Sequence, residues 1–162
     1  MSIYRADMQD IDSVAPLIAK FRVELKSYKN TQADEDISAA KNEFAEYIDE
    51  GFPVFVYKDG SQCLGFLVCR VNSGVVWVES LYVLNEHRRK GIAALLFSEA
   101  EKLAASYGGD MVYNYVHPNN DGMISFLNKR GYNVLNLIEI RKKYENEEIS
   151  EQIRIRNNLF EY

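Results

Sequence analysis

The chain has 162 residues, a mass of 18.7 kDa and a formal net charge of -5. That length suits one domain able to bury a core. Its 47% apolar and 27% charged residues are ordinary globular usage, and no apolar run approaches the roughly 18 residues that cross a bilayer. The first residues lack a charged segment followed by an apolar core, so no signal peptide is read and a cytoplasmic protein is expected.

Residues 3–5 read as a short strand. Asp10, Ile11 and Asp12 open a helix in which Val14, Leu17, Ile18, Phe21 and Leu25 recur at 3–4 spacing, and Pro16 places its start close by. Residues 27–36 are a polar loop. A second helix carries Ile37, Ala40, Phe44, Tyr47 and Ile48 on one stripe and ends at Gly51. Residues 53–57 and 63–71 are strands joined through Asp59-Gly60, a hairpin signal, and residues 75–84 form a long strand after the turn at 72–74. Residues 89–107 are helical, with Ile92, Leu95, Leu96, Ala100 and Leu103 facing in, and Gly108 and Gly109 stop them. A strand over 111–116, a short helix over 123–129 and a strand-like run over 132–144 follow. Residues 146–162 read as a helix with Ile149, Ile153 and Phe160 on one stripe.

The order β-α-α-β-β-β-α-β-α-β implies an α/β fold, a mixed sheet with covering helices, over residues 1–144. The helical extension over 145–162 must bury its apolar stripe on its own domain or a partner, and a homodimer is expected.

The acidic excess sits in the first third. Residues 1–60 hold 12 acidic against 7 basic side chains, whereas 61–140 balance at 7 and 7 and 141–162 at 5 and 5. With no basic footprint, nucleic acid is disfavoured as the main partner. The acidic third reads as a solvated helical face, or as an attraction for a cationic ligand. Cys63 and Cys69 lie six apart in one apolar stretch, where alternation along a strand puts them on one face. Neither has a second metal-ligand partner nearby, so small buried thiols are expected and no metal.

The chemistry concentrates where residues 81–84 meet residues 91–96. Arg88, Arg89 and Lys90 precede Gly91 at a helix start, where unpaired N–H groups and the positive end of the macrodipole favour an anion. Gly91 and Ala93 let a phosphate approach the backbone. No Lys-Ser/Thr follows the glycine, which disfavours a nucleotide-hydrolysing P-loop. By this reading the turn is a diphosphate site.

The run Arg88-Arg89-Lys90-Gly91-Ile92-Ala93 resembles the acetyl-CoA motif of the GNAT superfamily of N-acetyltransferases, (Gln/Arg)-x-x-Gly-x-(Gly/Ala). Leu81-Tyr82-Val83 before it, and Asn119-Asn120 and the run from Phe126 to Tyr132 after it, extend the resemblance, as does the element order. The resemblance implies a central sheet splayed beside the motif strand, the gap admitting the pantetheine arm. It also implies direct acetyl transfer from acetyl-CoA to a primary amine. Backbone groups at Leu81, Tyr82 and Val83 would bind the arm and polarise the thioester. Amides from Arg89 through Gly91, Ile92 and Ala93 to Ala94 would hold the pyrophosphate, with Arg88 and Lys90 adding charge. Asn120 would contact the cofactor.

Many relatives place a tyrosine directly after the phenylalanine of the short helix to protonate the thiolate; here that residue is Leu127. Tyr113, Tyr115, Tyr132 or water could take the role. Tyr115 stands where some relatives carry a base glutamate. Glu79, two residues before Leu81, and His117 are the candidate bases. The first two helices and their loop, with Asp34, Glu35 and Asp36, would wall an acceptor cleft suited to a cationic amine. A non-catalytic acetyl-CoA-binding module is the alternative reading.

Overall fold

The computed structural model describes residues 1–149 and 151–162. The elements are β1 (Ser2–Arg5), α1 (Ile11–Ser27), α2 (Ile37–Asp49), β2 (Val54–Asp59), β3 (Gln62–Asn72), β4 (Val75–Val83), α3 (Ile92–Ser106), β5 (Tyr113–Asn114), α4 (Asp121–Lys129), β6 (Gln152–Ile155) and β7 (Asn158–Glu161). The chain divides into two compact units, Met1–Ser125 and Phe126–Tyr162.

In the first unit the strands lie in the order β1-β2-β3-β4-β5. The first three pairings are antiparallel and β4–β5 is parallel. This is the expected α/β mixed sheet. Helices cover both faces. Phe66 of β3 and Tyr82 of β4 meet Phe21 of α1, with ring centroids 5.9 Å from it in each case. The next residue along β3, Gly65, faces the opposite way: a Cβ there would meet Leu96 of α3 at 3.2 Å. The strands between the helices are therefore buried on both sides, which is why β3 reads as a continuous apolar run rather than an alternating one.

Two irregularities in the ladder matter later. Val68 pairs with Ser80 but Cys69 pairs with Val78, so Glu79 is an extra residue in β4, a bulge. In the β2–β3 pair, Tyr57 opposes Gly65 and Lys58 opposes Cys63, which leaves Leu64 extra. Simple alternation therefore does not fix the relative faces of Cys63 and Cys69. Both are free and buried, and burial pushes their thiols up to about 11 and about 12.

Several boundaries differ from expectation. Helix α1 starts at Ile11 rather than near Pro16, because a 3-10 turn over Met8–Asp10, capped by Asp7, starts the winding. Pro16 costs only the hydrogen bond to the carbonyl of Asp12, an exposed residue that water can serve. In α3 the inward stripe is Ile92, Leu96, Phe97, Ala100 and Ala104, and Leu95 is 50% exposed. Strand β5 is reduced to two residues of the expected 111–116.

The larger corrections fall in the second unit. Residues 132–144 form no strand. Apolar residues come there in adjacent pairs, Val134-Leu135 and Leu137-Ile138, with no alternation to define a buried face, and all four are exposed. The expected C-terminal helix is a hairpin. Ile153 of β6 pairs with Phe160 of β7, and Ile155 with Asn158 across a two-residue turn in which Arg156 takes φ 55°. A separation of seven fits two helical turns and also fits partners across a tight hairpin, so the stripe of Ile153 and Phe160 was ambiguous. The alternation Ile153-Arg154-Ile155 and the polar Arg156-Asn157-Asn158 decide for the hairpin. The helical face on which self-association was expected is absent, and Ser150 of that segment lies outside the described residues.

Gly65 is the tightest point beside the motif strand. A Cβ there would lie 2.8 Å from the main-chain oxygen of Tyr82 and 3.2 Å from the Val83 side chain. The substitution Gly65→Ala is expected to cost about 1–3 kcal/mol and to lower Tm by roughly 3–10 °C in thermal unfolding followed by circular dichroism.

Candidate active site

The pairing of β4 with β5 covers only Trp77 with Tyr113 and Val78 with Asn114. It stops immediately before the bulge at Glu79. From there β4 continues along β3 to Val83, and the chain beyond Asn114 takes no part in the sheet. The two strands thus part at a vertex marked by Val78, Glu79 and Asn114.

Main-chain directions past the vertex follow from the antiparallel ladder. The N–H of Leu84 donates to the carbonyl of Leu64 at 3.0 Å, so Tyr82 and Ser80, in step with Leu84, turn their main-chain groups toward β3. Leu81 and Val83 turn theirs toward the gap. Of the three residues expected to line it with backbone groups, Leu81 and Val83 do so. Tyr82 does not: its main chain is engaged with β3, and its ring lies under the Arg88 guanidinium, 5.3 Å from the centroid.

After β4 the chain makes a 3-10 turn over Asn85–His87 and enters α3 through two residues of positive φ, Arg89 at 60° and Gly91 at 84°. At Gly91 the left-handed backbone, not crowding, demands glycine, since an added Cβ would meet nothing within 4 Å. No side chain caps α3, and no acidic residue occupies its first turn. The amides of Ile92, Ala93 and Ala94 therefore emerge at an uncapped, positive helix end flanked by the exposed Arg89 and Lys90. Such a helix start can cradle an anion.

Arg88 is engaged differently from expectation. Its Nε donates to the Val83 carbonyl at 2.9 Å and its Nη2 to Glu24 of α1 at 2.5 Å. That pairing draws its charge toward α1, so Arg89 and Lys90 are the cations left beside the cradle. Glu24 was not singled out from the sequence; 64 residues separate it from Arg88 and no local motif links them.

Glu79 does not stand alone in the opening. Its Oε1 lies 2.9 Å from Nε of Arg70 on β3, an ion pair whose N–H is not aimed at the oxygen. Tyr115 is the first residue past the vertex on the other lip, 54% exposed and stacked on Trp77 with centroids 4.9 Å apart. His117 lies two residues on, its ring centroid 6.3 Å from that of Tyr28. Burial first, then the charge of Lys29, hold its pKa below the ordinary 6.5. Asn120 spends its Oδ1 on capping α4 through the Met123 N–H at 3.0 Å. At the vertex Asn114 Oδ1 is buried with no hydrogen-bond partner among the described residues, the type of orphan acceptor that a ligand N–H or bound water satisfies. Leu127, where a proton donor was sought, is buried.

The acidic loop is largely structural. Asp36 caps α2 through the Ala39 N–H at 2.8 Å, and Glu35 pairs with Lys20 at 2.9 Å. Asp34 lines an open depression of about 420 Å³ with Val23, Ser27, Thr31, Gln32 and Ala33. Among the described residues no group of three or more His, Cys, Asp or Glu is gathered as for a metal ion, and no helix is long and apolar enough to cross a membrane.

The model of the acetyltransferase (GNAT) family matches residues 18–132, more than half of the chain. No curated protein matches. Among solved structures, a ribosomal-protein-alanine N-acetyltransferase from Brucella melitensis biovar Abortus 2308 aligns at 15% identity over 89% of this chain and 100% of its own, with a TM-score of 0.65. The PaiA N-acetyltransferase from Thermoplasma acidophilum, in complex with coenzyme A, aligns at 20% identity over 80% of this chain and 89% of its own, with a TM-score of 0.63. An aminoglycoside antibiotic 6′-N-acetyltransferase from Acinetobacter haemolyticus aligns at 18% identity over 91% and 100%, with a TM-score of 0.60. At these identities the likeness is one of fold.

A carboxylate at the cradle tests its charge preference without crowding the fold. Gly91→Glu is expected to weaken coenzyme A about tenfold or more in calorimetry, through repulsion of the phosphates and strain at positive φ, while the protein stays folded.

Proposed function

Because the chain belongs to the acetyltransferase (GNAT) family, we propose that it transfers the acetyl group of acetyl-CoA directly to a primary amine. The observation that carries this reading is a coincidence at one end of β4. The strand leaves its parallel neighbour at Val78, and the uncapped start of α3 follows nine residues after Val83. One ligand long enough to reach both features, with an anionic linker at one end and a hydrogen-bonding arm at the other, fits them together. Acetyl-CoA has that form.

In this reading the amides of Gly91, Ile92, Ala93 and Ala94 hold the pyrophosphate, and Arg89 and Lys90 add charge-assisted contacts. Main-chain groups of Leu81 and the N–H of Val83 hold the arm, and a Leu81 N–H aimed into the gap polarises the thioester carbonyl. The side-chain amide nitrogen of Asn120 remains for the cofactor.

The reaction needs a neutral amine. Nitrogen attacks the carbonyl carbon, the carbon–sulfur bond breaks, one proton leaves the nitrogen and one joins the thiolate. We assign the first proton to His117, whose lowered pKa keeps it uncharged and receptive near neutral pH. Glu79 is held in an ion pair with Arg70, and we assign it to orienting the acceptor rather than to taking the proton. Tyr115, at the vertex, is assigned the return of a proton to sulfur. The acceptor is a small cationic amine or a peptide amine, a reading supported by Asp34 in the depression beside α1 and by the acidic first third of the chain.

Free-thiol release from acetyl-CoA with a panel of amines tests the proposal. Release is expected with primary amines, fastest with cationic ones and slowed by salt. The free base is the active form, so kcat/KM is expected to fall as pH drops through a value below 6.5. His117→Gln is expected to remove that limb and about 100-fold or more of the rate. Tight coenzyme A binding with release on no amine contradicts the enzyme and favours a non-catalytic acetyl-CoA-binding module.

A further inference from the structure

Resting on the acetyl-CoA reading above, we propose that Glu24 is a positioning residue that sets the opening between β4 and β5 and so the grip on the pantetheine arm.

Both lips of the opening are tied to one turn of α1. On the β4 lip, Glu24 Oε2 accepts from Arg88 Nη2 at 2.5 Å, and Arg88 Nε donates to the carbonyl of Val83, the last residue of the strand, at 2.9 Å. The same guanidinium lies over the Tyr82 ring. On the β5 lip, Asn119 Nδ2 donates to the main-chain oxygen of Tyr28 at 2.9 Å, and the His117 ring packs beside the Tyr28 ring. The Tyr28 side chain beside His117 reaches the same carboxylate as Arg88, because its hydroxyl donates to Glu24 Oε1 at 2.9 Å.

The gap gives this arrangement its purpose. Where two strands part, nothing in the ladder fixes how far, since the main-chain bonds that set strand spacing are missing. Here an outside element supplies the missing constraint. Arg88 also takes the Val83 carbonyl, an acceptor that would otherwise compete for donors of the arm, and leaves the Val83 N–H to it. The Glu24 and Arg88 side chains are 25% and 40% exposed, so their pairing contributes little to overall stability and its loss leaves the fold standing. An effect confined to the arm, sparing the phosphate cradle, is what separates positioning from general support.

The test compares two ligands by calorimetry. Coenzyme A spans cradle and gap, while adenosine 3′-phosphate 5′-diphosphate keeps both phosphates of the linker and lacks the pantetheine arm. The isosteric variant Glu24→Gln is expected to weaken coenzyme A about tenfold and to leave the nucleotide that lacks the arm within twofold. Arg88→Ala is expected to show the same selective loss, and adding Glu24→Gln to it to cost less than a further twofold. Equal losses for both ligands, no loss for either, or additive losses in the double variant overturn the proposal and leave the acetyl-CoA reading intact. Wild-type protein that binds neither ligand overturns both.

Discussion

The whole site depends on one missing set of backbone hydrogen bonds. Among the described residues, strand β4 has a parallel neighbour for two residues and then none, and its main-chain groups on that side must find other partners or wait for a ligand. The extra residue Glu79 stands at the point of departure. A bulge adds twist and breaks the even spacing that a neighbour needs, so it ends the pairing with β5 while β3 still holds the other edge. Val83 finds Arg88; Leu81 remains available.

The electrostatics are organised around the same strand end. A chain with net charge -5 keeps an uncapped helix start, free of acidic residues in its first turn, beside two exposed cations. Its third cation, Arg88, is paired with Glu24 of α1. Main-chain dipoles add to the field of those two cations, and they are fixed by the fold and lose no side-chain entropy on binding.

Much of this was legible from residue order. The β-branched run over 75–84 and Gly91 placed a strand, a tight turn and a helix start, because β-branched composition and a glycine at positive φ leave local signatures. The departure of Tyr82 from its expected role was not legible, since main-chain direction depends on register with β3, which only the folded ladder reveals. Glu24 was hidden for a similar reason: a contact across 64 residues has no local pattern. In the tail, seven-residue spacing served two geometries equally, and the polar turn at 156–157 with the alternation before it carried the decision. The pairs Val134-Leu135 and Leu137-Ile138 resembled a strand in composition while lacking its period. The acidic loop misled in part, because Asp36 and Glu35 are spent on a cap and an ion pair.

The central claim is that one bound molecule occupies the gap beside β4 and the start of α3 together. Amide chemical shifts of nitrogen-15-labelled protein, titrated with coenzyme A, read both places at once. Saturable shifts at Leu81 and Val83 of β4 and at Ile92, Ala93 and Ala94 of α3, with a common dissociation constant, are the predicted result. Shifts confined to one of the two groups, or the largest shifts elsewhere in the chain, would contradict it.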